Sequence, residues 1–183
     1  IVAFSELYPH VTFVTVEGTS SELSRAVENH RADFCIISYR EGEYDWIDLF
    51  QDELLVMLPR THALAEKERL PISVLQEEPF IEIYPGKETD NSRCFAKNRL
   101  KPKIRFSCSD TAGTLAMVEA GLGISLLNAI VANTLQGDVV YRPLDPPQLV
   151  DIGIAMRPKE MAAPAVKRFI EYAMQNLHSI QEG

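Results

Sequence analysis

The sequence predicts an α/β fold with largely parallel sheets, divided into two lobes. Three observations carry that expectation. Short β-branched or continuously apolar runs alternate with segments of helical spacing along the chain. Two hydroxyl-rich clusters, Thr19-Ser20-Ser21 and Ser109-Asp110-Thr111, have the composition of helix N-caps. Two composition breaks, at Glu77-Glu78-Pro79 and between Pro143 and Pro147, suggest a chain that leaves one lobe and later returns to it. Strands alternating with helices are the pattern of parallel sheets covered by helices.

The elements follow in order. VTFVTVE at 11–17 alternates and is β-branched, which reads as a strand. After Gly18, the cluster at 19–21 opens a helix with Leu23, Ala26 and Val27 on one face. FCIIS at 34–38 is a continuous apolar run, as expected of a strand buried on both faces. LLVMLP at 54–59 is a strand ended by its proline, ISVLQE at 72–77 a short helix, and FIEIY at 80–84 a strand closed by Pro85-Gly86. The polar loop GKETDNS opens a helix to about Lys97, and KIRFSC at 103–108 alternates as a strand. A helix over 112–120, the strand GISLL, a helix AIVANTL ended by Gly137 and the strand VVYRPL come next. IGIAM at 152–156 is a last strand, and Pro164 starts a helix through Leu177 with Val166, Phe169, Ile170 and Ala173 at helical spacing.

Composition excludes several classes of function. A chain of 183 residues with 46% hydrophobic and 24% charged content is that of a globular protein. No apolar run approaches the ~20 residues of a membrane span, and no signal sequence opens the chain. The opening IVAFSELYPH reads as the back half of a helix, so residues are expected to precede it. A net charge of −8 without a Lys/Arg cluster leaves these residues without a nucleic-acid-binding face. Three cysteines, without a CxxC, fit a reducing compartment. Cys35 reads as core, while Cys94 and Cys108 stand as an alternative redox pair. His10, His30, His62 and His178 show no metal-ligand spacing and read as surface or element-end residues, so neither metal nor cofactor is expected.

TLAMVEAGLGISLL at 114–127 tests the phosphate-loop idea directly. A dinucleotide fingerprint places its glycines after a strand and before a helix. Here the order is helix, glycine, strand. Gly121 falls where a left-handed helix stop belongs, and Gly123 lets the next strand pass close to its neighbours. Nucleophilic catalysis has no GxSxG or histidine-flanked serine to support it. Asp90 and Asp110 allow an acid–base pair, against their roles as a turn residue and a helix cap. Trp46 near Tyr44 is either a stacking platform or edge packing.

The helix starts are more informative. Thr19, Ser20 and Ser21, with the free amides of a first turn, make a donor-rich corner, and Ser109 to Thr111 make another. Facing corners of this kind suit a small anion such as a carboxylate, although capping alone accounts for the same residue types. Asp90 and Asp110 temper attraction for an anion.

In their order along the chain, FSELYPHVTFVTVEG, RADFCIIS, DELLVMLPRTHALA, ISVLQEEPFIEI and TLAMVEAGLGISLL resemble the effector-binding domain of LysR-type transcriptional regulators. The last segment is the most specific, because a helix ending in V-x-A-G-x-G-I is typical of the family there. The resemblance implies two Rossmann-like lobes of the type 2 periplasmic-binding-protein kind, with a small-molecule cleft between them. Lobe I would take residues 1–79 and 151–183, with its first strand upstream, and lobe II residues 80–150. It further implies an upstream helix-turn-helix domain through which DNA is bound, homodimers or homotetramers, and a cytoplasmic location. The family's ligand contacts map onto Thr19, Ser38, Asp90, Asn91, Ser92, Asp110 and Thr111, and the capping cluster adds Ser20 and Ser21. Ala63 and Asn128 stand where the family usually has proline, and the cysteines do not match the peroxide-sensing members. The implied function is effector sensing that controls transcription by the full-length protein, not catalysis. A transporter's solute-binding protein is the alternative.

Overall fold

The structure is a computed structural model that describes the backbone of residues 1–180 and the side chains of residues 1–176. Its contacts divide the chain into two units: residues 1–48 with 153–183, and residues 49–152. Both composition breaks, at 77–79 and 143–147, fall within the second unit.

In the first unit, α1 (Val2–Leu7) is followed by an irregular stretch and then by α2 (Ser20–Glu28) and β1 (Phe34–Ser38). The unit also holds the opening residues of β2 (Asp45–Pro59), the closing residues of β8 (Leu149–Met156), and α7 (Pro164–Ile180). Sheet order runs β1, β8, β2, which leaves β1 at an edge. Val27, Cys35, Ile37 and Ala155 form a small core with Leu23, Tyr44 and Trp46 packed on it. A second apolar group is aromatic: Phe4 meets Tyr8, Phe13, Phe169 and Tyr172 within 6.0 Å, mostly edge to face. Trp46 packs its edge against Tyr39 at 5.1 Å, so it serves as packing and not as an open platform.

Two expectations fail here for one reason. VTFVTVE is not a strand, and Val14 is 86% exposed. FCIIS is a strand, but Ile36 at its centre is 60% exposed, so it is not buried on both faces. A strand exists by ladder pairing as well as by side-chain pattern. Residues 11–17 have no ladder partner among the described residues, and β1 is paired on one side.

The second unit contains the rest of β2 and β8, β3 (Leu70–Pro71), α3 (Val74–Glu77), β4 (Pro79–Ile83), α4 (Asp90–Asn98) and β5 (Lys103–Cys108). It continues with α5 (Thr111–Glu119), β6 (Ser125–Asn128), α6 (Ala129–Ala132) and β7 (Val139–Asp145). Pairing is mixed. β4 with β5 and β3 with β7 are parallel, but β2 runs antiparallel to both β6 and β7. The expectation of largely parallel sheets is corrected to that extent. Leu54, Val56, Leu58, Phe80, Ile124, Leu126 and Leu144 make one core, and Met57, Ile81, Leu115, Val118 and Leu127 another. α6 is a single turn, far shorter than AIVANTL suggests. β2 is far longer than LLVMLP, because DWIDLFQDE continues the same strand on its N-terminal side.

The glycine segment behaves as its order requires. Gly121 has φ +74°, its N–H bonds Val118 O at 2.9 Å, and the Leu122 N–H bonds Met117 O at 3.1 Å. That pair of bonds is a Schellman stop. A Cβ on Gly123 would sit 2.4 Å from Pro79 O, so only glycine lets Ile124 reach Pro79 O with its own N–H at 2.9 Å.

Candidate functional site

The first unit gathers four of the nine candidates at the start of α2. Thr19 is its N-cap: Oγ1 accepts from Glu22 N at 3.3 Å, and Glu22 Oε2 accepts from Thr19 N at 2.9 Å, a reciprocal capping box. Ser20 Oγ accepts from the Ser38 N–H at 3.2 Å, which ties the helix start to the C-terminal end of β1. Ser21 Oγ accepts from Arg40 Nε at 2.9 Å. Thr19, Ser20, Ser21 and Ser38 therefore form one connected corner.

Arg40 went unassigned in the sequence, yet it organises this corner. The residue is 4% exposed, and Nη1 donates to Tyr39 O at 2.9 Å and to Ser38 O at 3.3 Å. The Tyr44 hydroxyl donates to Arg40 O. Burial, followed by the nearby Tyr39, pushes the Tyr44 phenol above its ordinary range, so it remains a donor at neutral pH. The available signal was a single cation directly after a buried strand end; composition does not reveal that such a cation is itself buried.

The second unit places the other five at two helix starts. β4 and β5 pair in parallel through Ile83 and Cys108, and α4 and α5 each follow one of these strands. Ligands in α/β sheets gather at such carboxyl ends. Asp90, Asn91 and Ser92 are not in a loop, as the sequence suggests, but form the first turn of α4; Thr89 is the cap. Ser92 Oγ accepts from Thr89 N and donates to Thr89 O, both at 2.9 Å, which commits its one hydrogen and leaves one acceptor lone pair. Asn91 Nδ2 donates to Leu126 O at 2.9 Å. Asp110 caps α5 by accepting from Gly113 N at 2.7 Å, with Cys108 Sγ 3.6 Å from its other oxygen. Thr111 is the first residue of α5. The two carboxylates thus sit at helix starts, as the capping reading has it for Asp110.

The cysteines are all free. Burial pushes the Cys35 and Cys94 thiols up to about 11. Cys94 lies against Asn98 and Gln148, at 3.7 Å from Gln148 Oε1. His30 is the left-handed residue that ends α2, with φ 57°, and His62 Nδ1 accepts from Leu64 N at 3.2 Å. His10 is exposed, and the side chain of His178 lies outside the described residues. Among the described residues, no cluster of three His, Cys, Asp or Glu is placed to hold a metal ion, and no helix is long and apolar enough to cross a membrane.

The chain resembles known proteins over nearly its whole length. The family model for the LysR substrate binding domain matches residues 1–178. An uncharacterized HTH-type transcriptional regulator of Bacillus subtilis, YybE, is 26% identical over 180 residues, 96% of this chain and 62% of that protein. The HTH-type transcriptional regulator CysL of the same species is 28% identical over 148 residues, 79% of this chain and 48% of that protein. The chain therefore spans about half to two thirds of the length of these relatives. In structure it is similar to the regulatory domain of Synechocystis CcmR in complex with 2-PG, with TM-score 0.83 at 19% identity, over 95% of this chain and 87% of that one. It is also similar to the BenM effector binding domain with benzoate, with TM-score 0.79 at 19% identity, over 98% of this chain and 85% of that one. These neighbours give the type 2 periplasmic-binding-protein-like fold; the relatives lend no support to a transporter's solute-binding protein. On the match over nearly its whole length, the chain belongs to the LysR substrate-binding-domain family, a family of regulatory binding domains and not of enzymes.

Proposed function

We propose that this chain is the effector-sensing part of a longer transcriptional regulator, which binds DNA through a helix-turn-helix domain upstream of it. The observation that carries this reading is the family match over residues 1–178, together with relatives that are themselves HTH-type regulators. The ligand is a small organic molecule, with a carboxylate as the first candidate; a related fold is known with benzoate bound. Its contacts are Thr19, Ser20, Ser21 and Ser38 in the first unit, and Asp90, Asn91, Ser92, Asp110 and Thr111 in the second. Because the ligand prefers one conformational state, it shifts the population presented to DNA.

Two features support the proposed assembly. The regulatory lobes are residues 1–79 with 151–183 and residues 80–150, the first completed by a strand from a preceding segment. The open edge of β1 and the unpaired β-branched run at 11–17 offer that strand its partners. Self-association into homodimers or tetramers is favoured by the exposed apolar face of β5, Ile104 and Phe106. A regulator acting on bacterial DNA works in the cytoplasm.

The test is binding by the full-length regulator. Thr19→Ala and Ser92→Ala are expected to weaken affinity for an effector found by thermal-shift screening of metabolites. Each also removes a capping contact, which costs about 1 kcal/mol of stability, so affinity is read by calorimetry on folded protein. Unchanged affinity in both variants rejects the site.

A further inference from the structure

α7 presents two apolar faces. One carries Phe169 and Tyr172 onto Phe4. The other, Ile170 and Met174 one turn apart, faces Ile47 of β2 and Met156 of β8 across a cavity of about 320 Å³. These residues all belong to the first unit, and none is among the nine candidates of the helix starts. Met156 and Ile170 are buried, so the floor is core and the space above it is not filled by this chain. Packed interiors leave few voids larger than a water molecule, whereas small-ligand pockets begin near ~300 Å³. Two thioethers in the wall adapt to ligands of different shape. The charged groups around this apolar space are Lys159, Lys167 and Glu171. They leave a local surplus of one positive charge on a chain of net charge −8. None of the three forms an ion pair among the described residues. Lys167 is half-buried, as a lysine is when its stem covers apolar surface and its ammonium stays in water.

We propose that this cavity binds a second small molecule, a carboxylate with an apolar body such as a medium-chain fatty acid. Its tail lies between Met156 and Met174, and its acid group lies toward Lys159 and Lys167. Charge decides between ligands of the same shape. A neutral tail gains the apolar wall alone, and an amine meets two ammonium groups, whereas an acid gains both the wall and the lysines. A helix about 10 Å across does not fit a space of this volume, which leaves a single side chain of a second copy as the competing occupant. The inference does not depend on the effector-sensing reading, because the two sites share no residue.

The experiment follows the isotope-labelled methionine methyl signals of the full-length regulator by NMR during titration with octanoate. Octanol and octylammonium serve as its neutral and cationic counterparts. Octanoate should move the signals of Met156 and Met174, each assigned by its replacement with leucine. It should bind about threefold or more tightly than octanol, the scale of an exposed ion pair, and octylammonium should bind more weakly than either. Lys167→Glu should remove the preference for the acid. Met174→Trp should fill the space and abolish binding of acid and alcohol alike, with circular dichroism confirming that both variants fold. The proposal is overturned if neither signal moves up to the solubility limit of octanoate, or if the shifts are confined to Met57 and Met117 of the second unit. Equal binding of octanoate and octanol, or unchanged binding in folded Met174→Trp, overturns it as well. A wild type that takes no probe, with a Met174→Trp variant of smaller oligomeric size by light scattering, assigns the cavity to a second copy instead. None of these outcomes touches effector sensing, which Thr19→Ala and Ser92→Ala decide.

Discussion

The hydroxyls of the first unit were legible from sequence because helix starts select them. Thr19 needs an oxygen to satisfy an amide that α2 cannot bond internally, and Ser20 and Ser21 follow in the same cluster. Arg40 was not legible, because burying a guanidinium depends on oxygens from residues 21, 38 and 39 arriving together in space. Chemical reactivity at single residues follows from burial in the same way. Cys35 and Cys94, raised to about 11, remain thiols at pH 8, whereas Cys108 is half-buried beside Asp110. Iodoacetamide at pH 8 should therefore label Cys108 well before the other two, as read by mass spectrometry. The sign of the pH effect follows. A thiol whose folded pKa lies above the ordinary 9.0 leaves stability intact below pH 9 and erodes it as pH rises from 9 through 11. Thermal midpoints that rise across that window would contradict the burial of these thiols.

At the scale of elements, sequence was reliable wherever one element contained its own reasons. α2 and α5 carry their caps, and the Gly121 stop is written into the chain next to the helix it ends. Asp110→Ala should cost about 1 kcal/mol through loss of the 2.7 Å bond to Gly113, checked by urea denaturation. A change below a few tenths of that figure would mean the cap is solvated already. Elements whose reasons lie elsewhere were misread. VTFVTVE has an ideal strand pattern and no partner to pair with, so its pattern alone does not make a strand. DWIDLFQDE looks irregular, but it is carried into β2 by its neighbour β8, since β6 and β7 pair only from Leu54 onward. AIVANTL loses its second half because Asn133 and Thr134 turn out of α6 before the periodicity ends.

For the whole molecule, alternation of strand and helix led to the α/β class but not to strand direction. Local apolar pattern is blind to direction, which is why the antiparallel pairing of β2 with β6 and β7 was not visible. The candidate corner was half legible for a similar reason: the sequence names residues at helix starts, while the fold decides that Ser38 meets Ser20. The edge of β1 bears on behaviour in solution. A strand edge with no second ladder partner among the described residues, beside the exposed Ile36, is a template on which another chain can add. The 183-residue chain on its own should therefore show concentration-dependent, open-ended association by light scattering, and Ile36→Lys should suppress it. A monodisperse solution at high concentration would speak against an uncovered edge.

That same edge also bears on inheritance of form. A strand supplied by a chain's own preceding segment arrives once per molecule and closes the sheet, whereas a strand borrowed from a neighbour leaves the neighbour's edge open in turn. Whether β1 is capped from within or from without thus separates a countable sensor from a growing fibre, and one isoleucine at position 36 sits at that fork.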